Sequence, residues 1–212
     1  MIHLLYLDSA LASDAAAATD LGFVAGVTTN PKLMAAAVEP PVVTLAELCD
    51  RGPGVVFYQV TADDVAGREK EAHDVHTVRP GRVGIKIPCT VENLAMAVRL
   101  RRDGIGPIGI TAVFTPAQAV LAAAVGADFV LPYVNRLTRL TGDGLAVVAG
   151  MARVLRGSST EILAASVKTA EEAVQTLQAG AQHLTLALGL IEAMGESTHS
   201  HAAIEEFAQA VR

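Results

Sequence analysis

Eight short aliphatic runs, each followed by a longer stretch of helical character, recur along this chain without a break in composition. The runs are 3–7, 24–27, 55–60, 83–87, 108–112, 129–131, 162–165 and 184–188. Between them, stretches such as 62–78, 91–102, 116–125, 143–155 and 170–178 return apolar residues at three- and four-residue spacing, the mark of a helix with one buried face. The segment 202–211 reads as a terminal helix. Pro116 suits a helix's first turn, and Gly104, Gly126 and Gly180 each follow a helical run, where a chain reversal is expected.

Strand alternating with helix eight times predicts the α/β class: a single (β/α)8 TIM barrel over residues 1–212 with a C-terminal helix. The competing arrangement is an open doubly wound sheet. Its dinucleotide-binding form needs a glycine-rich loop after the first strand, where this chain has Asp8-Ser9-Ala10-Leu11. Neither a phosphate-loop G-x-x-x-x-G-K-[ST] nor an H-E-x-x-H zinc motif occurs. Hydrophobic residues make up 51% of the chain and aromatic ones 4%, so layers must interdigitate through small aliphatic side chains.

A net charge of −6, from 22 acidic and 16 basic residues, argues against an extended nucleic-acid interface, which needs a basic surface. One or two local cations still suffice for a small phosphorylated substrate. No apolar run is long enough to span a membrane. The N-terminal run enters Asp8 directly and reads as a strand rather than a signal peptide, so a cytoplasmic location is expected. Cys49 and Cys89 have neither metal-ligand spacing nor a disulfide framework around them, and the histidines join no carboxylate cluster, so no metal is expected.

In a barrel the chemistry sits at the C-terminal strand ends and in the loops beyond them. Those positions hold Asp8, Thr28, Asn30, Gln59, Lys86, Thr111, Tyr133, Arg136, Ser166 and Lys168. Lys86 is the sharpest of them, lying in Gly84-Ile85-Lys86-Ile87-Pro88 among aliphatic neighbours. A lysine is rarely buried without a reason, and burial disfavours its ammonium form. The resulting neutral amine can attack a carbonyl and form a Schiff base. A snorkelling or edge-strand lysine is the plainer reading.

Of the four lysines, Lys32 lies in a loop or helix start and Lys70 in a polar helical stretch. Lys168 rivals Lys86 but falls just past its strand, which suits a surface or phosphate-side position. Asp8 can hydrogen-bond a hydroxyl or move a proton; a helix cap is the alternative. Gln59 cannot titrate, so it can orient water or a hydroxyl but not act as a base. Thr111 and Tyr133 can complete a water site, and Arg136 and Ser166 suit an anion.

The blocks Tyr6-Leu7-Asp8, Ala25-Gly26-Val27-Thr28-Thr29-Asn30-Pro31, Phe57-Tyr58-Gln59-Val60, Lys86-Ile87-Pro88, Thr111-Ala112-Val113-Phe114, Pro132-Tyr133-Val134-Asn135-Arg136 and Ala164-Ala165-Ser166-Val167-Lys168-Thr169 run in order through nearly the whole chain. Together they resemble the small-transaldolase superfamily, closest to its fructose-6-phosphate aldolase branch. The resemblance implies a class I aldolase with Lys86 as Schiff-base lysine on the fourth strand. It also implies active-site positions for Asp8, Asn30, Gln59, Thr111, Tyr133, Arg136 and Ser166, while Thr28 is expected to bind substrate from its place at a strand end.

No cofactor is implied. The expected partners are small sugars, ketones and aldehydes, expected to be phosphorylated, and copies of the chain itself in a pentamer or decamer, as family members form with swapped or docking C-terminal helices. The transaldolase branch typically carries Glu at the Gln59 position and Phe at Tyr133, so both residues here are of the aldolase type. A tyrosine hydroxyl can pass a proton through water to the enamine carbon, which releases a free ketone. The alternatives are a transaldolase that keeps the three-carbon enamine for an aldose acceptor, and an inactive barrel kept for binding or assembly.

Overall fold

The computed structural model describes residues 4–211. Its strands are β1 (Leu4–Asp8), β2 (Val24–Thr28), β3 (Val55–Gln59), β4 (Val83–Pro88), β5 (Ile108–Val113), β6 (Phe129–Pro132), β7 (Glu161–Ala164) and β8 (His183–Leu186). They pair in parallel and in chain order, and β8 returns to β1, so the sheet closes into a barrel. The (β/α)8 expectation holds and the open sheet is excluded. His3, placed in the first strand from sequence, lies outside the described residues.

The helices are α1 (Ala12–Leu21), α2 (Pro31–Ala36), α3 (Pro41–Arg51), α4 (Val65–His76), α5 (Val91–Arg102), α6 (Pro116–Ala124), α7 (Val134–Thr141), α8 (Gly144–Val154), α9 (Ala170–Gln178), α10 (Leu188–Gly195) and α11 (Thr198–Ala210). Side-chain caps fix many starts. Asp64, Thr90, Asp143 and Thr169 each accept an N–H of the first turn, and Thr115 and Gln118 form a reciprocal capping box. None of the described helices is long and apolar enough to cross a membrane.

Some boundaries differ from the sequence expectation, each for a local reason. The helix expected over 62–78 begins at Val65, because Glu71 reaches back to accept the N–H groups of Thr61 and Ala62, holding them in a loop. The strand expected over 184–188 ends at Leu186, and the apolar run passes straight into α10. The terminal helix starts at Thr198, four residues before 202, on a cap from Ser197.

Strand side chains alternate between the helices and the barrel interior. Outward-facing residues such as Leu7, Val27, Val56 and Ile85 join the helices in one large apolar cluster. Inside, Tyr6, Phe57, Leu131 and Leu163 form a second cluster with Phe129 against it. Tyr6, Phe57 and Phe129 meet edge to face at centroid separations of 5.7–6.3 Å. Below them Leu4 N–H donates to His183 Nδ1, which leaves the other ring nitrogen of His183 to donate to Glu161.

Glycines make room for the rings. A Cβ at Gly84 would lie 2.7 Å from the Phe57 ring, and one at Gly109 would lie 2.7 Å from a Leu131 methyl. Gly84 stands two residues before Lys86, so this packed layer is the floor beneath the lysine. Gly84→Ala is therefore expected to cost about 1–3 kcal/mol through overpacking. Equilibrium urea unfolding of the variant measures this, and an unchanged midpoint would show that Phe57 yields freely.

Candidate active site

Lys86 points up from that floor at the C-terminal end of β4 and is 2% exposed. Its Nζ donates to the main-chain carbonyl of Thr29 at 2.7 Å. That carbonyl is rigidly placed, since both the amide and the hydroxyl of Thr29 donate to Phe57 O. Burial lowers the Lys86 ammonium from the ordinary 10.5 to about 8, while the negative charge of Asp8 pulls it back up.

Asp8 ends β1. Burial pushes its carboxyl above the ordinary range, and this prevails over the downward pulls of Lys86, Thr28 and Lys168. Thr28 is fully buried at the end of β2. Its hydroxyl donates to Asp8 Oδ1 at 3.0 Å and lies 2.7 Å from the hydroxyl of Thr185 on β8. Thr28 thus stands behind Asp8 rather than at the open mouth.

Gln59 is the register partner of Lys86 across β3 and β4. Its Oε1 is buried and accepts no hydrogen bond from the described residues. Such an acceptor suits a hydroxyl or water brought by the reaction. On the other side of Lys86, Thr111 and Tyr133 share a hydrogen bond of 2.8 Å between their hydroxyls. The Tyr133 ring meets Phe114 edge-on and carries the Arg136 guanidinium 4.8 Å from its centroid.

Ser166 follows β7 with φ at 60°, in the left-handed region that disfavours a side chain. Its carbonyl accepts the Asn135 N–H, which stitches this loop to the first turn of α7, where Arg136 stands exposed. Asn30 caps α2, its Oδ1 accepting from the Lys32 and Leu33 amides, so its amide NH2 is the group left for a ligand. Lys168 is exposed beside a cleft of about 340 Å³ shared with Asn135 and Glu172. A larger cleft of about 500 Å³ opens beside Gln59, lined also by Pro31, Arg68, Pro88 and Asn93.

The barrel therefore brings Asp8, Thr28, Gln59, Lys86, Thr111 and Tyr133 to one rim, with Asn30 and Ser166 in the loops beyond it and Arg136 in the first turn of α7. Two groups hydrogen-bonded to these residues escaped sequence reasoning. The Thr29 carbonyl has no side-chain signature at all. Thr185, a hydroxyl inside an apolar strand, could have been found by the reasoning that picked out Thr111. Among the described residues no group of three or more His, Cys, Asp and Glu is placed to hold a metal.

Two solved structures of similar shape are a mandelate oxidase mutant with a monooxide FMN adduct and the inosine 5′-monophosphate dehydrogenase of Legionella pneumophila. The first is 12% identical with a TM-score of 0.61 and covers 89% of this chain; the second is 17% identical with a TM-score of 0.63 and covers 88%. The match spans 64% and 58% of those two chains, and at such identities it carries the barrel fold alone. A family model described as Transaldolase/Fructose-6-phosphate aldolase matches residues 5–212. With a lysine of lowered basicity on β4 and a match over nearly its whole length, the chain belongs to the transaldolase/fructose-6-phosphate aldolase family.

Proposed function

We propose that this protein is a metal-independent Schiff-base aldolase that makes or breaks a carbon–carbon bond between a dihydroxyacetone-type ketone and an aldehyde such as a small aldose phosphate. The observation that carries the reading is the buried Lys86 amine, held on a carbonyl oxygen beside Asp8. Family membership supports the reaction class and sugar-phosphate substrates.

In the cleavage direction the neutral Lys86 amine adds to C2 of the ketose, and the carbinolamine loses water to give an iminium. Asp8 takes the proton of the C4 hydroxyl. The C3–C4 electron pair then moves into an enamine, with the iminium as sink, and C4 departs as the aldehyde. Tyr133, Thr111 and Gln59 hold the water that protonates C3, and hydrolysis of the regenerated iminium frees the ketone and Lys86. Asn30 orients substrate hydroxyls, while Arg136 and Ser166 receive the phosphate.

Tyr133 favours release of the ketone over its transfer, because its hydroxyl is a proton source in direct contact with Thr111. Transfer to a second aldose is the alternative outcome of the same enamine. Self-association is part of the proposal: α11 has no buried residue and exposes Ile204 and Phe207, a face suited to another copy of the chain.

Borohydride reduction in the presence of dihydroxyacetone, followed by peptide mass mapping, tests the covalent step. A donor-sized adduct on Lys86 is expected, and an adduct confined to Lys168 would overturn the assignment. Fructose 6-phosphate supplied without an acceptor should yield free dihydroxyacetone; no free dihydroxyacetone, with its three carbons found only in a new ketose phosphate once a second aldose phosphate is added, would make the enzyme a transaldolase.

A further inference from the structure

Thr185 pairs in register with Tyr6 across β8 and β1, and its side chain rises into the interior beneath the rim. Its hydroxyl oxygen lies 2.7 Å from that of Thr28, which itself lies 3.0 Å from Asp8 Oδ1. Thr28 and Thr185 are 0% and 2% exposed, so bulk water does not compete for either hydroxyl.

A hydroxyl has one proton to give. With the Thr28 proton directed at the Asp8 carboxylate, the contact to Thr185 is made only if Thr185 is the donor. The result is a chain of fixed polarity, from Thr185 on β8 through Thr28 on β2 to Asp8 on β1. When Asp8 takes up a proton and donates it to Thr28, the Thr28 proton must turn away from Asp8, and turning it toward Thr185 reverses the polarity of the chain. The three side chains therefore act as one unit whose orientation follows the charge on Asp8.

We propose that Thr185 is a positioning residue of the reaction, acting through Thr28 to hold Asp8 in the orientation and charge state that the carbon–carbon step requires. This rests on the role of Asp8 in the proposed mechanism. Around Asp8, Lys86 from β4 and Lys168 from the loop after β7 favour the carboxylate, and burial opposes it. Hydrogen bonds in a chain strengthen one another by roughly 10–30% each in a water-poor interior. Without the Thr185 donor, the Thr28 hydroxyl is a weaker partner for the carboxylate and is free to rotate away.

Thr185→Val keeps the branched side-chain shape and exchanges the hydroxyl for a methyl group, which can neither donate nor accept. Cleavage of fructose 6-phosphate is measured across pH for wild type, Thr185→Val, Thr185→Ala, Thr185→Ser and Asp8→Asn. In Thr185→Val, kcat should fall about five- to twenty-fold with KM within about two-fold, and the acidic limb should move to higher pH. Thr185→Ser should restore both, and Thr185→Ala should displace the limb in the same direction. The dihydroxyacetone adduct on Lys86 should form in every Thr185 variant.

A limb that stays in place in both Val and Ala variants overturns the proposal, as does a Ser variant no better than Val. Slow Asp8→Asn with unchanged Thr185→Val rejects the role of Thr185 alone. Asp8→Asn at the wild-type rate rejects the role of Asp8 and this inference with it, and a wild type that forms no Lys86 adduct rejects the proposed reaction itself.

Discussion

Lys86→Met is expected to lower turnover by about a thousandfold or more, since no other lysine among the described residues is buried and ready to form the covalent intermediate, and yet to stabilise the protein at pH 7. An ammonium held at about 8 in the fold and 10.5 in the open chain binds fewer protons when folded. Below pH 8 both states are charged and the folded state bears the full penalty, about 3 kcal/mol at 1.36 kcal/mol per pH unit. Between pH 8 and 10.5 the unfolded chain binds more protons, so stability from this group rises with pH until the penalty is gone.

Methionine avoids the penalty but leaves the Thr29 carbonyl without its donor, a loss of about 1–2 kcal/mol. The variant should thus be more stable by about 1 kcal/mol at pH 7 and less stable by a similar amount near pH 11. Urea unfolding at a series of pH values would show the two stability curves crossing between 8 and 10.5; parallel curves would mean that burial does not lower the Lys86 ammonium. The same acidity sets the rate of iminium formation, which should climb with pH toward about 8 as the neutral amine accumulates.

The second large effect is expected from Asp8→Asn: turnover lower by about 10²–10⁴ while the Lys86 adduct still forms. An amide cannot accept the C4 hydroxyl proton, so bond cleavage slows although attack on the ketone does not. Two shifts in the pH profile follow from the mutual influence of the pair. The acidic limb, which lies above the ordinary 3.8 because burial raises Asp8, should vanish. The limb belonging to Lys86 should move below about 8, because the carboxylate that pulled its ammonium upward is gone. A limb that stays at about 8 would place Asp8 outside the field of Lys86. Stopped-flow cleavage and borohydride trapping on the same preparation separate the two steps.

Much of this was legible in the sequence because a parallel barrel repeats one short pattern. Each strand was located to within a residue or two, as aliphatic runs bounded by polar residues are unambiguous when polar rim residues such as Asp8 and Gln59 follow. The strand-eight end was misplaced because Leu186 and Leu188 are equally apolar while one closes a strand and the other opens a helix. Helix α1 was not picked out, since an alanine-rich segment has little difference between its faces. At the site, side-chain chemistry pointed to Lys86, but its partner is a main-chain carbonyl that any residue at position 29 would carry. Thr185 is 157 positions from Thr28, and only closure of β8 onto β1 brings them together.

The Thr29 carbonyl has a further consequence for the covalent cycle. A neutral amine carries two hydrogens on nitrogen, and the iminium formed from it carries one. A carbonyl needs only one of them, so the same oxygen can anchor the nitrogen before attack and after water has left. Every intermediate then hangs from one fixed peg, and the substrate carbon skeleton pivots about a point that does not wander. A loop that allowed residue 29 to drift would blur the stereochemical outcome before it slowed the reaction.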